Sequence, residues 1–147
     1  PIYYQNGTVE HAGCVIGMNE SAGSLFEYTL QGENGYFSHI VTQMQYSAVA
    51  GACMMVKKDV FDKVNGFEEA YKGELGKVDL CLKIRNKHRS VVYNPYVEVV
   101  RWSNELRNNE NDEKLFKKKW TEILEKGDPY YNKNLSLSVS GCKINIR

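Results

Sequence analysis

Residues 111–127, "NDEKLFKKKWTEILEKG", have the most regular apolar spacing in the chain. Acidic residues come first and Gly127 comes last, an order that suits the dipole and the C-terminal stop of a helix. A helix with one apolar stripe must bury that stripe against another layer. The predicted stripe consists of Leu115, Phe116, Trp120, Ile123 and Leu124.

Short strands are the predicted second layer. Residues 9–18, "VEHAGCVIGM", and residues 46–56, "YSAVAGACMMV", are apolar segments of strand length. Residues 90–102, "SVVYNPYVEVVRW", contain two β-rich runs separated by Asn94-Pro95, which predicts two short extended pieces. Alternation of these segments with helices predicts an α/β fold with a mixed sheet and flanking helices.

Two further helices are predicted between these strands. Residues 57–67 are predicted to contain a short helix, with Asp59 as its candidate N-cap and Asn65-Gly66 as its C-terminal stop signal. In "GELGKVDLCLKIR" (73–85) an amphipathic helix is predicted, with Val78, Cys81 and Leu82 on one buried face. Lys77 stands immediately before that helix, where an acidic residue would suit the helix dipole better.

Composition excludes several classes of protein. The 147 residues suffice for one domain, and 19 basic residues against 18 acidic ones indicate no polyanionic partner. No apolar run approaches the roughly 20 residues of a membrane span. The start, "PIYYQNG", lacks the features of a signal peptide and resembles a strand followed by a turn, so we expect the chain to be part of a longer protein.

Cysteine and lysine patterns exclude two further kinds of site. The four cysteines are widely separated, which favours reduced thiols and a cytoplasmic location. His11 lies three residues before Cys14, but no second half of a zinc motif follows, so no metal site is predicted. The basic run "FKKKW" is interpreted as the solvated face of the helix, so no nucleic-acid partner is predicted.

Four motifs in order give the chain a resemblance to a known family. They are "GTVEHAGCVIG", "GYFSHIVTQMQYSAVAGACMMVKKDVFDKVNGFEE", "VDLCLKIR" and "DPYYNKNLSL". This series resembles bacterial family 2 glycosyltransferases, in particular the rhamnosyltransferase-like enzymes that build O-antigen and other surface polysaccharides. The resemblance extends over nearly the whole chain.

The resemblance implies a GT-A fold, a Rossmann-like α/β domain that binds a nucleotide sugar, usually with Mn²⁺ or Mg²⁺ on an Asp-x-Asp motif. That motif lies upstream of the matching region in the family, and this sequence contains no Asp-x-Asp. Residues 1–137 are therefore interpreted as the C-terminal, acceptor-side half of the domain, with residues 138–147 as a C-terminal tail. Without the donor-binding half, we expect this part to bind no metal and to catalyse no transfer alone.

In the family, an acidic pair before "VDLC" supplies the general base that deprotonates the acceptor hydroxyl. Gly76 and Lys77 occupy those positions here, and a protonated ammonium cannot accept a proton. The candidate substitutes are Glu74, Asp79 and Glu69. Three of these residues also have a non-catalytic interpretation. Asp79 would cap the helix or compensate its dipole in the first turn, and Glu74 would be a solvated turn residue. Lys77 would bind a phosphate or simply be exposed.

A second departure from the family concerns phosphate binding. Arg101 stands where the family commonly has a histidine, and Arg107 matches a later family arginine. Two interpretations stay open: the arginines neutralise the donor diphosphate, or they are ordinary surface cations. Trp102 either stacks on a sugar ring or lies in the interior.

The segment "SAVAGAC" lines the acceptor cleft in the family, which assigns Gly51 and Ala52 to that cleft. A glycine there would let the backbone approach a ligand, although a buried strand with a bulge predicts the same sequence.

Two functions follow from these observations. The first is a part of a glycosyltransferase that moves a sugar from a nucleotide donor to a cell-surface glycan. The alternative is a non-catalytic glycosyltransferase-like domain that binds a glycan or a partner enzyme. We expect the protein in the cytoplasm or at the inner face of the membrane, and a homodimer through an exposed sheet edge.

Overall fold

A computed structural model of the chain describes residues 1–102 and 108–145, which form a mixed α/β fold with small sheets. The strands are β1 (Ile2–Tyr3), β2 (Val9–His11), β3 (Cys14–Ile16), β4 (Ala22–Ser24), β5 (Met44–Tyr46), β6 (Val91–Tyr93) and β7 (Val99–Val100). The α-helices are α1 (Lys58–Lys63), α2 (Leu75–Arg85), α3 (Glu110–Lys119) and α4 (Thr121–Lys126).

The largest described sheet has the order β2-β1-β7 and is mixed. β1 pairs antiparallel with β2 and parallel with β7. The two extended pieces predicted in residues 90–102 are β6 and β7, and they lie in different sheets because β6 pairs with β5. The other pairs, β3 with β4 and β5 with β6, are antiparallel. A mixed α/β fold is therefore confirmed, with small sheets and few helices; the helix–strand contact that the described residues show is between α2 and β6, which belongs to an antiparallel pair and not to the mixed sheet.

The predicted strand 9–18 is interrupted at Gly13, whose φ is +113°. The ring of Tyr46 lies where a side chain on residue 13 would project, so this position requires glycine. Beyond the interruption, the backbone N–H of Cys14 donates to the carbonyl of Ala48 over 3.1 Å. β2 therefore pairs with β1, whereas β3 pairs with β4.

The prediction of a strand over 46–56 is wrong. Only Met44–Tyr46 is a strand, and Gly51–Cys53 forms a 3₁₀ turn. The backbone groups of this segment form separate hydrogen bonds to different partners and not the continuous ladder of a strand. The carbonyl of Ala48 accepts the N–H of Cys14, and the N–H of Ala50 donates to the His11 side chain.

α1 ends at its predicted stop, because Asn65 and Gly66 are both left-handed, with φ of 57° and 56°. Its predicted N-cap is wrong. Lys57 holds the N-cap position, no side chain caps the helix, and Asp59 instead forms an exposed ion pair with Lys63.

α2 begins at Leu75, two residues before Lys77, so this lysine lies in the first turn of the helix and not in front of it. The helix is also buried on more than one face. α3 covers one side and β6 contacts another, which encloses the helix between layers. Its buried residues are Leu75, Gly76, Val78, Asp79, Leu80, Cys81, Leu82 and Ile84.

The predicted helix 111–127 is divided into α3 and α4 at Trp120, whose φ and ψ are −112° and 24°. The indole N–H of Trp120 donates to a carboxylate oxygen of Asp79 on α2 over 2.9 Å. The apolar stripe packs on the core as predicted, with Phe116 fully inaccessible and its other four residues partly buried. Gly127 ends the segment with φ of 83°.

Residues 138–145 of the predicted C-terminal tail fold back along 134–136. The N–H of Ser136 donates to the carbonyl of Lys143 over 2.7 Å, and the N–H of Asn145 donates to Asn134 over 2.9 Å. This return places Cys142 in a hydrophobic cluster with the side chains of β2, β3 and β5.

The cysteines differ in exposure: Cys14, Cys81 and Cys142 are buried, and Cys53 is exposed. Burial raises the pKa of the Cys81 thiol to about 11, so this side chain stays a neutral part of the core. In residues 1–102 and 108–145, the helices are too short and too polar to cross a membrane.

Candidate functional site

A cavity of about 310 Å³ lies at the N-terminal end of α2. Part of its lining comes from β2, β3 and β4, and another part comes from the first turn of α2, from Asn108 and from Glu113 on α3. Such a volume falls at the lower end of the range for small-molecule sites. The polar side chains that line it are His11, Asn19, Ser24, Glu27, Glu74, Lys77, Asn108 and Glu113.

A chain of alternating charges runs from the cavity into the protein. Lys77 Nζ lies 3.4 Å from Glu74 Oε1, and Arg101 Nη2 lies 3.9 Å from the same oxygen. Arg101 Nη1 is 2.5 Å from Glu10, which is 4% exposed. Glu74 and Lys77 are mostly shielded from water, at 17% and 25% side-chain exposure, so neither the solvated-turn reading of Glu74 nor the plain exposure of Lys77 is correct.

The turn that carries Glu74 is fixed by the start of α3. Asp112 is 1% exposed, and its two carboxylate oxygens accept the N–H groups of Lys72 and Gly73 over 3.0 and 2.8 Å. Asn108 accepts the N–H of Leu75, the first residue of α2, over 2.9 Å. The bond to Leu75 satisfies a backbone donor that the helix itself leaves open, and the three bonds together hold Glu74 at the cavity.

His11 is buried and uses both ring nitrogens within the protein. Its Nε2 accepts the N–H of Ala50 over 2.6 Å, and its Nδ1 lies 2.7 Å from Ser24 Oγ. Burial lowers the pKa of His11 to about 3, so the ring is neutral near pH 7. A neutral ring that accepts at Nε2 carries its proton on Nδ1 and donates it to Ser24.

Asp79 lies on a different side of α2 and does not line the cavity. It is fully buried, and its Oδ1 accepts from Trp120 and lies 2.8 Å from Lys119 Nζ. Its Oδ2 is 3.6 Å from Lys83 Nζ. As the fifth residue of α2, Asp79 does not cap the helix, and its contacts attach α2 to the junction of α3 and α4.

The other predicted positions lie at the edges of this region. Lys77 packs on Gly51, whereas Ala52 is exposed on the 3₁₀ turn. Trp102 is 81% exposed, which excludes the interior reading and leaves stacking on a sugar as a prediction. Glu69 is exposed outside the cavity, and Arg107 lies outside the described residues.

A second cavity of about 650 Å³ lies on the other side of His11, Val49 and Ala50. Its lining is mainly apolar and comes from residues 53–60, β6 and the neighbouring end of β7. The wall formed by His11 and Ala50 therefore separates a polar cavity from an apolar one.

A divalent metal does not fit the described residues. Across 1–102 and 108–145, the side chains of His, Cys, Asp and Glu form no cluster of three or more that could hold a metal ion. Near the cavity, His11 spends both nitrogens on protein partners, and Glu10 and Glu74 are paired with Arg101.

Asp112, His11 and Ser24 contribute to the site, although the sequence did not point to these roles. For Asp112 a signal exists: Asn109 caps α3 by accepting the N–H of Asp112 over 2.9 Å, an Asn-x-x-acid pattern at a helix start. That pattern marks the helix terminus but not the contact with residues 72–73. The partners of His11 are likewise distant in sequence, since Ala50 lies 39 residues away.

Two curated proteins are similar to the chain over most of its length. A protein of Sinorhizobium fredii named "Uncharacterized protein y4gI" is 32% identical over 148 residues, which covers 92% of this chain and 16% of that protein. The O-antigen biosynthesis protein RfbC of Myxococcus xanthus is 29% identical over 147 residues, covering 96% of this chain and 12% of that protein. No family model and no solved structure matches.

The chain thus spans less than a sixth of the length of the first of these relatives and about an eighth of the second. It is similar to one segment of much larger proteins, one of which carries a name from polysaccharide biosynthesis.

Proposed function

We propose that the chain acts in polysaccharide biosynthesis, as the acceptor-side part of a GT-A glycosyltransferase domain in a longer protein. Similarity to the O-antigen biosynthesis protein along 96% of the chain supports the process. The single observation that supports the activity is the position of Glu74. Its carboxylate lines a polar cavity at the start of α2, beside the position where the family resemblance expects the base.

In the proposed reaction, a carboxylate oxygen of Glu74 accepts the proton of the acceptor hydroxyl as that oxygen attacks the anomeric carbon of the donor sugar. The bond from the anomeric carbon to the nucleoside diphosphate breaks, and the diphosphate leaves with the electron pair. Lys77 and Arg101 orient the Glu74 carboxylate through the ion pairs described above. Asp112 is a positioning residue that holds the turn.

The donor side is assigned to the remainder of the longer protein. Nucleotide-sugar binding and its Mn²⁺ or Mg²⁺ are placed there, because the described residues offer no ligand cluster for a metal. Arg101 and Arg107 are the proposed contacts of this chain to the donor diphosphate. Arg101 already neutralises Glu10 and Glu74, so a phosphate would have to compete with two carboxylates for it.

A non-catalytic domain that binds a glycan or a partner enzyme is the second candidate. The ion pairs of Glu74 with Lys77 and Arg101 favour it, since the carboxylate is already engaged by two cations of the protein and must share its oxygens with them to reach an acceptor hydroxyl. The two candidates predict the same fold and the same cavity, and they differ in whether Glu74 moves a proton.

Assembly and location also belong to this proposal. β7 lies at one end of its described sheet, and Val100 is 49% exposed, so we propose this edge as the contact of a homodimer. The location is proposed as cytoplasmic, including the inner face of the membrane.

The test is an assay of the longer protein that contains this chain. UDP-, GDP- and dTDP-sugars are supplied with Mn²⁺ or Mg²⁺, and donor hydrolysis and sugar transfer are measured. Turnover of one donor supports the transferase. If the unmodified protein is inactive but Lys77→Asp is active, the chain is a decayed catalyst on an intact scaffold. If both are inactive, the transferase is wrong and the binding domain stands.

A further inference from the structure

We propose that Ser24, Glu74 and Lys77 form a subsite that binds one neutral sugar ring through its hydroxyl groups. The inference rests on the proposed function and gives its acceptor a location. Ser24 lies on β4, and the two charged residues lie across the same cavity of about 310 Å³. The residues that the sequence assigns to the acceptor cleft, Gly51 and Ala52, do not line this cavity.

The direction of the hydrogen bonds at His11 determines what Ser24 can do. Because the N–H of Ala50 donates to Nε2, the neutral ring must donate from Nδ1 to the Ser24 oxygen. The hydroxyl hydrogen of Ser24 then needs a separate acceptor. Within 1–102 and 108–145, no protein group accepts it, so Ser24 is available to donate to a ligand in the cavity.

Across the cavity, Glu74 and Lys77 provide the complementary groups. The carboxylate can accept a ligand hydroxyl proton, and the ammonium can donate to a ligand oxygen. A sugar hydroxyl both donates and accepts, so the hydroxyl groups of a polyol suit all three groups. Glu74 and the neighbouring Glu27 and Glu113 disfavour an anion such as phosphate in the same space.

The size of the cavity suits a ligand of one ring. A volume of about 310 Å³ lies near the bottom of the range found for small-molecule pockets. A nucleotide sugar would need more room, which agrees with placing the donor elsewhere. The ligand class is therefore a single glycosyl unit at the end of an acceptor.

The test is a titration of the ¹⁵N-labelled 147-residue chain, followed by the amide signals of Ser24 and Ala50. The probes are methyl α-L-rhamnopyranoside, methyl α-D-mannopyranoside and methyl β-D-galactopyranoside, with inorganic phosphate as a separate arm. We expect saturable shifts with one or more of the sugars and none with phosphate. Loss of one hydrogen bond in Ser24→Ala should weaken binding roughly five- to tenfold.

Two further variants separate hydroxyl recognition from a structural effect. Ser24→Thr keeps the hydroxyl on a strand that tolerates a β-branched residue, so it should bind within about twofold of the unmodified chain. Ser38→Ala removes a hydroxyl from a residue that does not line the cavity and should not change the affinity.

The subsite is overturned if all three sugars leave the Ser24 and Ala50 signals unmoved, if Ser24→Ala binds as well as the unmodified chain, or if only phosphate binds. These results are distinct from failure of the transferase. Sugar binding that depends on Ser24, in a longer protein without turnover, keeps the subsite and rejects the enzyme. Turnover that is unaffected by Ser24→Ala keeps the enzyme and rejects the subsite.

Discussion

The aliphatic part of Lys77 occupies the space into which a side chain on Gly51 would project. A Cβ atom added at residue 51 would lie 3.1 Å from both Cβ and Cδ of Lys77, and closer still to its Cγ. Gly51 therefore lets the first turn of α2 approach the 49–53 segment, and this contact brings the Lys77 ammonium next to Glu74. The glycine that the sequence assigns to ligand contact is in contact with a lysine.

The first prediction concerns this contact. Gly51→Ala should lower the free energy of unfolding by about 1–3 kcal/mol, because the lysine must move out of a packed position. In a Lys77→Ala background the same change should cost less, since the obstructing side chain is shorter. Urea unfolding of the four proteins of this double-mutant cycle measures the coupling. A coupling below about 0.5 kcal/mol would show that the two residues do not compete for space.

The second prediction concerns Asp112. Asp112→Asn replaces one of two accepting oxygens with an N–H₂ group, so either Lys72 or Gly73 loses its bond. We expect the free energy of unfolding to fall by about 1–3 kcal/mol. Asp59→Asn, at an exposed ion pair on α1, is the matched control and should change it by less than about 0.5 kcal/mol. Equal losses of unfolding free energy in both variants would show that the bonds of Asp112 to Lys72 and Gly73 do not stabilise the turn.

The third prediction concerns the attachment of α2 to the α3–α4 junction. Asp79→Asn leaves Lys119 and Lys83 without a buried counter-charge and should cost about 3 kcal/mol. Trp120 should become more exposed, which shifts its fluorescence to longer wavelength. Because Trp102 is exposed and also emits, both proteins are measured in a Trp102→Phe background. An unchanged Trp120 spectrum together with unchanged stability would contradict the attachment.

The fourth prediction concerns pH. The folded state lowers the pKa of His11 to about 3 from an ordinary value of 6.5, so between these values the unfolded chain binds more protons. Stability from neutral His11 is complete above pH 6.5 and falls as the pH falls toward 3. The charged groups in or next to its surroundings include Arg101, Glu10, Glu27 and Glu74.

Between pH 7.5 and pH 5.0, the free energy of unfolding should fall by about 2 kcal/mol more in the unmodified protein than in His11→Gln. The pKa of His39 is also lowered by burial, but that residue is present in both proteins and cancels in the difference. Parallel pH dependences of the two proteins would mean that His11 titrates normally in the folded state.

Local signals were enough to predict part of this fold. The stop at Asn65-Gly66 and the end at Gly127 follow from backbone conformations that few residues adopt, so they are visible in the sequence. The break of the long helix at Trp120 is not visible there, and the hydrogen bond found at the break joins Trp120 to Asp79, 41 residues away. The apolar segment 46–56 reads as a strand in the sequence, because apolar content alone does not show that its backbone groups bond to different partners.

The site shows the same division. Glu74 and Lys77 are candidates from the sequence, but their ion pair follows from helical spacing only once α2 is known to begin at Leu75, because the sequence places Lys77 in front of the helix. The bonds from Asp112 to the turn before Glu74, and from His11 to Ala50, join residues 39 positions apart and require the tertiary fold. Sequence analysis could therefore name Glu74 and Lys77 as candidates, but neither their pairing nor the residues that hold them.

The proposed role of Glu74 as the general base is decided by comparing Glu74→Gln with Glu125→Gln in the longer protein. Glu125 lies on the exposed face of α4, so its variant controls for the loss of one carboxylate. Initial rates of sugar transfer are measured with the donor that the unmodified protein uses. We expect Glu74→Gln to lose about a hundredfold or more in rate, and Glu125→Gln to keep the unmodified rate. A Glu74→Gln variant that transfers sugar as fast as the unmodified protein would contradict the account.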